Sequence, residues 1–193
     1  ENDTGLFCHQ ILTSIIDTEK VCILSGPTFA IDLAKNNLCG LTLASSFDTN
    51  KKILNSIQSN YLMIDETNDI IGTEICGSIK NVMAIIFGML EEMKVSNSTK
   101  ALFFTEALKE IEHLIEFYHG NPKTITSLAG IGDFYLTCNS KESRNYQLGI
   151  MIASSDKEKV KEYLENNTVE GFYTLLSIYK MITTNQISSP LIE

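Results

Sequence analysis

Residues 74–91 read EICGSIKNVMAIIFGMLE, and between Glu74 and Glu91 the one charged side chain is Lys80, with the amide of Asn81 beside it. An ammonium group inside an apolar helix is unfavourable unless it gains a partner, a shifted pKa or a ligand. Two roles fit. Lys80 could be a structural lysine paired with a buried carboxylate. It could equally exchange a proton with a substrate oxygen, its pKa lowered by desolvation, with Asn81 hydrogen-bonding at the same centre.

The stretch SLAGIGDFYLTCNSKESRN, residues 127–145, holds two further groups. Gly130 and Gly132 flank Ile131 and lead to Asp133, with Thr137 one helical turn further on the same face. No strand precedes this G-x-G and no phosphate-loop lysine follows it, so it is not a nucleotide fingerprint. An aspartate there serves equally as a helix cap. Ser143-Arg144-Asn145 offers a planar fork of donors with two hydrogen-bonding neighbours, which suits phosphate or carboxylate. A surface arginine in a loop is the plainer account. Against it, Arg144 is the only arginine beside fourteen lysines. SGPTFA, residues 25–30, directly follows a short strand, where α/β domains bind ligands, although a simple turn at Gly26-Pro27 explains the same letters. His9, His113 and His119 show no metal spacing and read as structural or exposed, and no metal is expected.

Elements must position these groups. The chain has 193 residues, 44% of them hydrophobic, enough for a core in one domain or two small ones. A net charge of −9 argues against nucleic acid as the main partner. Five cysteines without a C-x-x-C pair fit reduced thiols in a cytoplasmic protein. The apolar run from Ile79 to Leu90 falls short of the roughly 18 residues of a membrane helix and carries Lys80, so no membrane insertion is expected. No signal peptide is visible. A first residue other than Met and a closing SSPLIE suggest a piece of a larger protein, incomplete at both ends.

Strands are expected at 21–25, 39–45 and 61–65, alternating with helices at 7–16, 29–37 and 47–59. That alternation indicates α/β layering with a largely parallel sheet. Beyond Asn68 only helices are expected, at 69–92, 98–118, 143–154, 156–165 and 170–184, with a glycine-interrupted segment at 123–139. The fold class is therefore an α/β remnant followed by an all-α domain, with 1–66 ending the first domain and 67–193 forming the second.

In their order, LSGPTFA, IGTEICGSIKNVMAI, LAGIGDFYLTCNSKESRN, TVEGFYT and SSPLIE resemble bacterial NAD(P)-dependent glycerol-3-phosphate dehydrogenases over nearly the whole chain. The resemblance implies the end of a Rossmann-type dinucleotide-binding domain followed by a helical substrate domain, NAD or NADP as cofactor, and a homodimer when intact. It implies interconversion of sn-glycerol 3-phosphate and dihydroxyacetone phosphate, supplying glycerol phosphate for phospholipid synthesis. By the same resemblance Lys80 is the catalytic proton donor and acceptor. Gly26, Thr28, Asn81, Asp133, Thr137, Ser143, Arg144 and Asn145 face substrate, while Ala30, Arg144, Thr168 and Glu170 face the cofactor. The glycine-rich cofactor fingerprint is not in this sequence, so the 193 residues alone are expected to be inactive. Two other readings stand beside this one. The first is a dehydrogenase of the 6-phosphogluconate or 3-hydroxyacid type, and the second an inactive remnant serving at most as a helical interaction module.

Overall fold

The computed structural model describes residues 5–16, 20–45 and 50–193. Residues 47–49 of the helix expected at 47–59 lie outside them. Three strands, β1 (Cys22–Ser25), β2 (Cys39–Ser45) and β3 (Leu62–Thr67), form one sheet in the order β1-β2-β3. The central β2 buries Leu43 and Ala44 completely, on opposite faces, as a strand covered on both sides must. Helices α1 (Cys8–Ile16), α2 (Ala30–Ala34) and α3 (Asn50–Ile57) accompany the strands.

The sheet is less parallel than the strand–helix alternation indicates. β2 and β3 are parallel, with Cys39 opposite Leu62 and Ala44 opposite Thr67, but β1 and β2 are antiparallel, with Cys22 opposite Ser45. The connection between β1 and β2 carries the turn at Gly26-Pro27 and a helix of only five residues, which advances about 7.5 Å against about 23 Å for a seven-residue β2. This helix does not carry the chain back across the sheet; the connection makes an excursion at one end, and β2 returns alongside β1.

Among the described residues no strand follows Thr67. The chain continues as α4 (Ile70–Glu92), α5 (Asn97–Phe117), a 3-10 turn (Pro122–Thr126), a π turn (Leu128–Gly132), α6 (Asp133–Asn139), α7 (Arg144–Ala153), α8 (Lys157–Asn166) and α9 (Glu170–Asn185). This is the expected α/β end followed by helices. α4 outruns the apolar stretch Ile79–Leu90, and by length and composition it could cross a membrane. However, 72% of its most apolar window is buried within the protein, so packing accounts for its character.

The chain forms two compact units, one of residues 6–77 with 112–135, the other of 78–111 with 136–193 and Gly5. In the first, the carboxylate of Asp69 fixes the start of α4. It accepts the Gly72 and Asn121 N–H groups at 3.0 Å each and the Thr124 hydroxyl at 2.5 Å. His9 binds α1 to α4 by donating its N–H to Glu74 Oε1 at 2.9 Å, with its Nδ1 lying 2.5 Å from Glu74 Oε2. Across the sheet, the Ala129 N–H donates to the Thr42 hydroxyl at 3.0 Å.

In the second unit α4 and α7 touch backbone to backbone. A Cβ on Gly149 would lie 2.0 Å from the Ile85 carbonyl oxygen, and one on Gly88 would lie 2.0 Å from that of Tyr146. Around this crossing Ile85, Leu148 and Val169 form a buried cluster, covered by Met89, Val160, Tyr163 and Leu164. Gly149→Ala is expected to force the helices apart and cost about 1–3 kcal/mol. Urea unfolding of the variant should show a lower midpoint, and an unchanged one would mean the helices part without strain.

Candidate active site

In the unit built from 78–111 and 136–193, the lysine–asparagine and serine–arginine–asparagine motifs meet through their amides. Lys80 is half-buried on α4, and the next residue, Asn81, is buried. Asn145 Nδ2 donates to Asn81 Oδ1 at 2.9 Å, and Asn81 Nδ2 donates to Glu170 Oε2 at 3.0 Å. Asn145 Oδ1 accepts the Gly171 N–H at 2.8 Å. Thr137 is buried on α6, and its neighbour Cys138 points its thiol to the Lys80 carbonyl at 3.9 Å.

The start of α7 is built from the second motif. Ser143 is the N-cap, its hydroxyl accepting the Tyr146 N–H at 3.3 Å. Arg144 is the first helical residue and is exposed. A cation at the positive end of a helix dipole is unfavourable by about 0.3–1 kcal/mol, a cost that an anion bound there would reverse. Behind it, the Tyr163 hydroxyl donates to the Arg144 carbonyl at 3.4 Å. Burial raises the pKa of that phenol, and the Arg144 charge draws it partly back.

The other unit gathers the remaining substrate-side candidates. Asp133, at the start of α6, is 3% exposed and accepts a hydrogen bond from the Ser25 hydroxyl at 3.3 Å. The turn after β1 is anchored on β2, with Gly26 buried and Thr28 Oγ1 donating to the Gly40 carbonyl at 2.9 Å. Ser25, Gly26, Thr28 and Asp133 therefore belong to one neighbourhood. Sequence reasoning gave Ser25 no role, although it stands in SGPTFA as the last residue of its strand. It also missed Gly171, whose partner lies 26 residues away in sequence.

Asn81, Asp133, Thr137, Ser143 and Asn145 are buried, Lys80 and Thr28 are half-buried, and Ala30, Arg144, Thr168 and Glu170 are exposed. In the second unit the exposed Glu170 carboxylate, Arg144 guanidinium and Thr168 main chain suit a long, partly solvated dinucleotide, so the residues present there fit that group.

Two sequence profiles match the chain. The NAD-dependent glycerol-3-phosphate dehydrogenase C-terminus covers residues 69–193, and the corresponding N-terminus covers residues 1–52. The chain belongs to this family. A relative from Neisseria gonorrhoeae, named glycerol-3-phosphate dehydrogenase [NAD(P)+], is 34% identical over 196 residues, covering all of this chain and 59% of the relative. One of the same name from Coxiella burnetii is 28% identical over 184 residues, covering 95% of this chain and 55% of the relative. The crystal structure of a Coxiella burnetii glycerol-3-phosphate dehydrogenase superposes with a TM-score of 0.93 at 27% identity, covering 98% of this chain and 59% of that one. A Plasmodium falciparum glycerol-3-phosphate dehydrogenase structure shares the fold, with a TM-score of 0.85 at 20% identity, covering 96% and 54%. The chain thus spans little more than half the length of these glycerol-3-phosphate dehydrogenases. The fold match supports a Rossmann-type origin for the three-stranded sheet.

Within the family fold, Ser25→Ala removes a hydroxyl donor from a buried carboxylate. It is expected to lower stability by about 1 kcal/mol, read from urea unfolding, and an unaltered midpoint would show that the 3.3 Å contact contributes nothing.

Proposed function

We propose that the intact protein interconverts sn-glycerol 3-phosphate and dihydroxyacetone phosphate with NAD or NADP, and that the residues of this chain supply the substrate side of that reaction. One observation carries the reading. The amide beside Lys80 is bonded at 2.9 Å to the amide beside Arg144. A lysine suited to moving a proton and an arginine suited to holding a phosphate thus occupy adjoining backbone. No finding favours a 6-phosphogluconate or 3-hydroxyacid substrate, or an inactive remnant.

When bound, the nicotinamide group supplies or accepts the hydride. Everything else falls to side chains. Lys80 gives its proton to the ketone oxygen in reduction and takes the proton from the hydroxyl in oxidation. Arg144 takes the phosphate on its guanidinium fork, with Ser143 and Asn145 beside it. Asp133 and Thr137 contribute polar contacts to the substrate, and Gly26 and Thr28 form its turn. Ala30, Arg144, Thr168 and Glu170 would hold the dinucleotide. The dinucleotide-binding part of the chain is residues 1–66 and the substrate part 67–193. We further propose that the protein is a cytoplasmic homodimer whose product feeds phospholipid synthesis.

The test is dihydroxyacetone phosphate-dependent oxidation of NADH and NADPH by the protein extended to its natural full length. Lys80→Ala is expected to lower kcat about 10²- to 10⁴-fold; turnover surviving the change would remove the proton-transfer role. Arg144→Lys should raise KM for dihydroxyacetone phosphate about 10- to 100-fold, with the cofactor KM moving less. Near-normal affinity for the phosphorylated substrate would assign Arg144 elsewhere.

A further inference from the structure

The first turn of α9 is capped from outside its own sequence. Its N-cap residue, Val169, is fully buried and makes no side-chain cap bond, since valine offers no acceptor. Asn145 supplies the acceptor by taking the Gly171 N–H on Oδ1. The same amide donates to Asn81, and Asn81 donates to Glu170. Because Glu170 and Gly171 are successive residues, these three bonds of 2.8–3.0 Å close a ring through α4, α7 and α9. The ring fixes which way each amide points. Turning either one over would set like atoms against each other, an NH2 against an N–H or a carbonyl oxygen against a carboxylate.

Gly171 lets the ring close. A Cβ there would lie 2.4 Å from the Asn81 carbonyl oxygen and 2.8 Å from Asn145 Oδ1. The outcome is an exposed glutamate on an otherwise buried polar frame. An exposed side chain of this length ordinarily samples several rotamers and gives up that freedom on binding. Here one carboxylate oxygen is already held.

We propose that Asn81, Asn145 and Gly171 are positioning residues for the Glu170 carboxylate, and that they set the affinity for the dinucleotide through it. This rests on reading Glu170 as a cofactor contact. It differs from assigning the two asparagines to substrate alone, since it makes cofactor binding depend on them when no substrate is present. Because the same amides stand beside Lys80 and Arg144, the substrate and cofactor sides of this unit are linked through the ring.

The experiment measures dissociation constants of NADH and NADPH by fluorescence titration of the full-length protein without substrate. Asn145→Ala and Asn81→Ala are each expected to weaken binding about 3- to 15-fold, and Glu170→Ala to weaken it at least as much. Placed in the Glu170→Ala background, neither asparagine change should weaken binding further, because its route of action is gone. Affinity unchanged in the single variants would overturn the proposal, as would effects that multiply in the double variants. Gly171→Ala keeps every side chain of the ring but presses a methyl group on the Asn81 main chain and Asn145 Oδ1, and it should weaken binding by a similar factor. Asn145→Asp, which keeps the acceptor for the Gly171 N–H and loses the donor to Asn81, serves where an alanine variant does not fold. Wild-type protein that binds neither dinucleotide would overturn the cofactor reading itself. That result is distinct from normal binding that ignores the ring.

Discussion

Two backbones in contact cannot slide past one another, and the meeting of α4 with α7 sets the register on which the second unit depends. Gly149 lies against the Ile85 carbonyl, a separation of 64 residues in sequence. Asn145 bonds to Asn81 at the same separation, four residues earlier on each helix. The glycine contact and the amide contact are thus successive turns of one interface. The first brings the helices close because it lacks side chains. The second uses that closeness to join two polar groups that would be costly to bury apart. Lys80 and Arg144 inherit their places from this register.

The division between buried and exposed polar groups follows from the same packing. Side chains on the inner faces of α4, α6 and α7 must be satisfied within the protein, as the partners of Asn81, Asn145 and Ser143 show. Those at helix starts, Arg144 and Glu170, keep their charged ends in solvent. Helix termini therefore do in the second unit what loop residues do in many enzymes. They present charged groups at the edge of a rigid frame.

Much of the architecture was legible because it is periodic or punctuated. The apolar spacing of α4 and α5 gives their extents almost to the residue, and Gly120-Asn121-Pro122 marks where α5 ends. Strand direction was not legible. The residues of β1 would serve either orientation, and nothing in its four letters or in the connection of 26–38 marks which way the chain returns. Asp69 escaped notice for a related reason. A single aspartate before a helix looks like a cap, and nothing local shows that it also holds Asn121 and Thr124 more than fifty residues away. The site motifs were legible as residue types in a familiar order, and their joining by amides was not. Gly171 in particular stands in TVEGFYT as if it were only a turn.

The ring at the start of α9 also shapes how this sequence can drift. Four positions on three helices depend on one another, although no two of them except 170 and 171 are neighbours in the chain. A change at 81 or 145 leaves a buried donor or acceptor stranded at another member, so accepted substitutions there should come as correlated sets and seldom singly. Position 171 is the strictest member, because even one added methyl group meets main chain. On the proposed role of Glu170, a lineage losing its need for the dinucleotide would be released there first, while Asn145 would still be held by the helix end it caps.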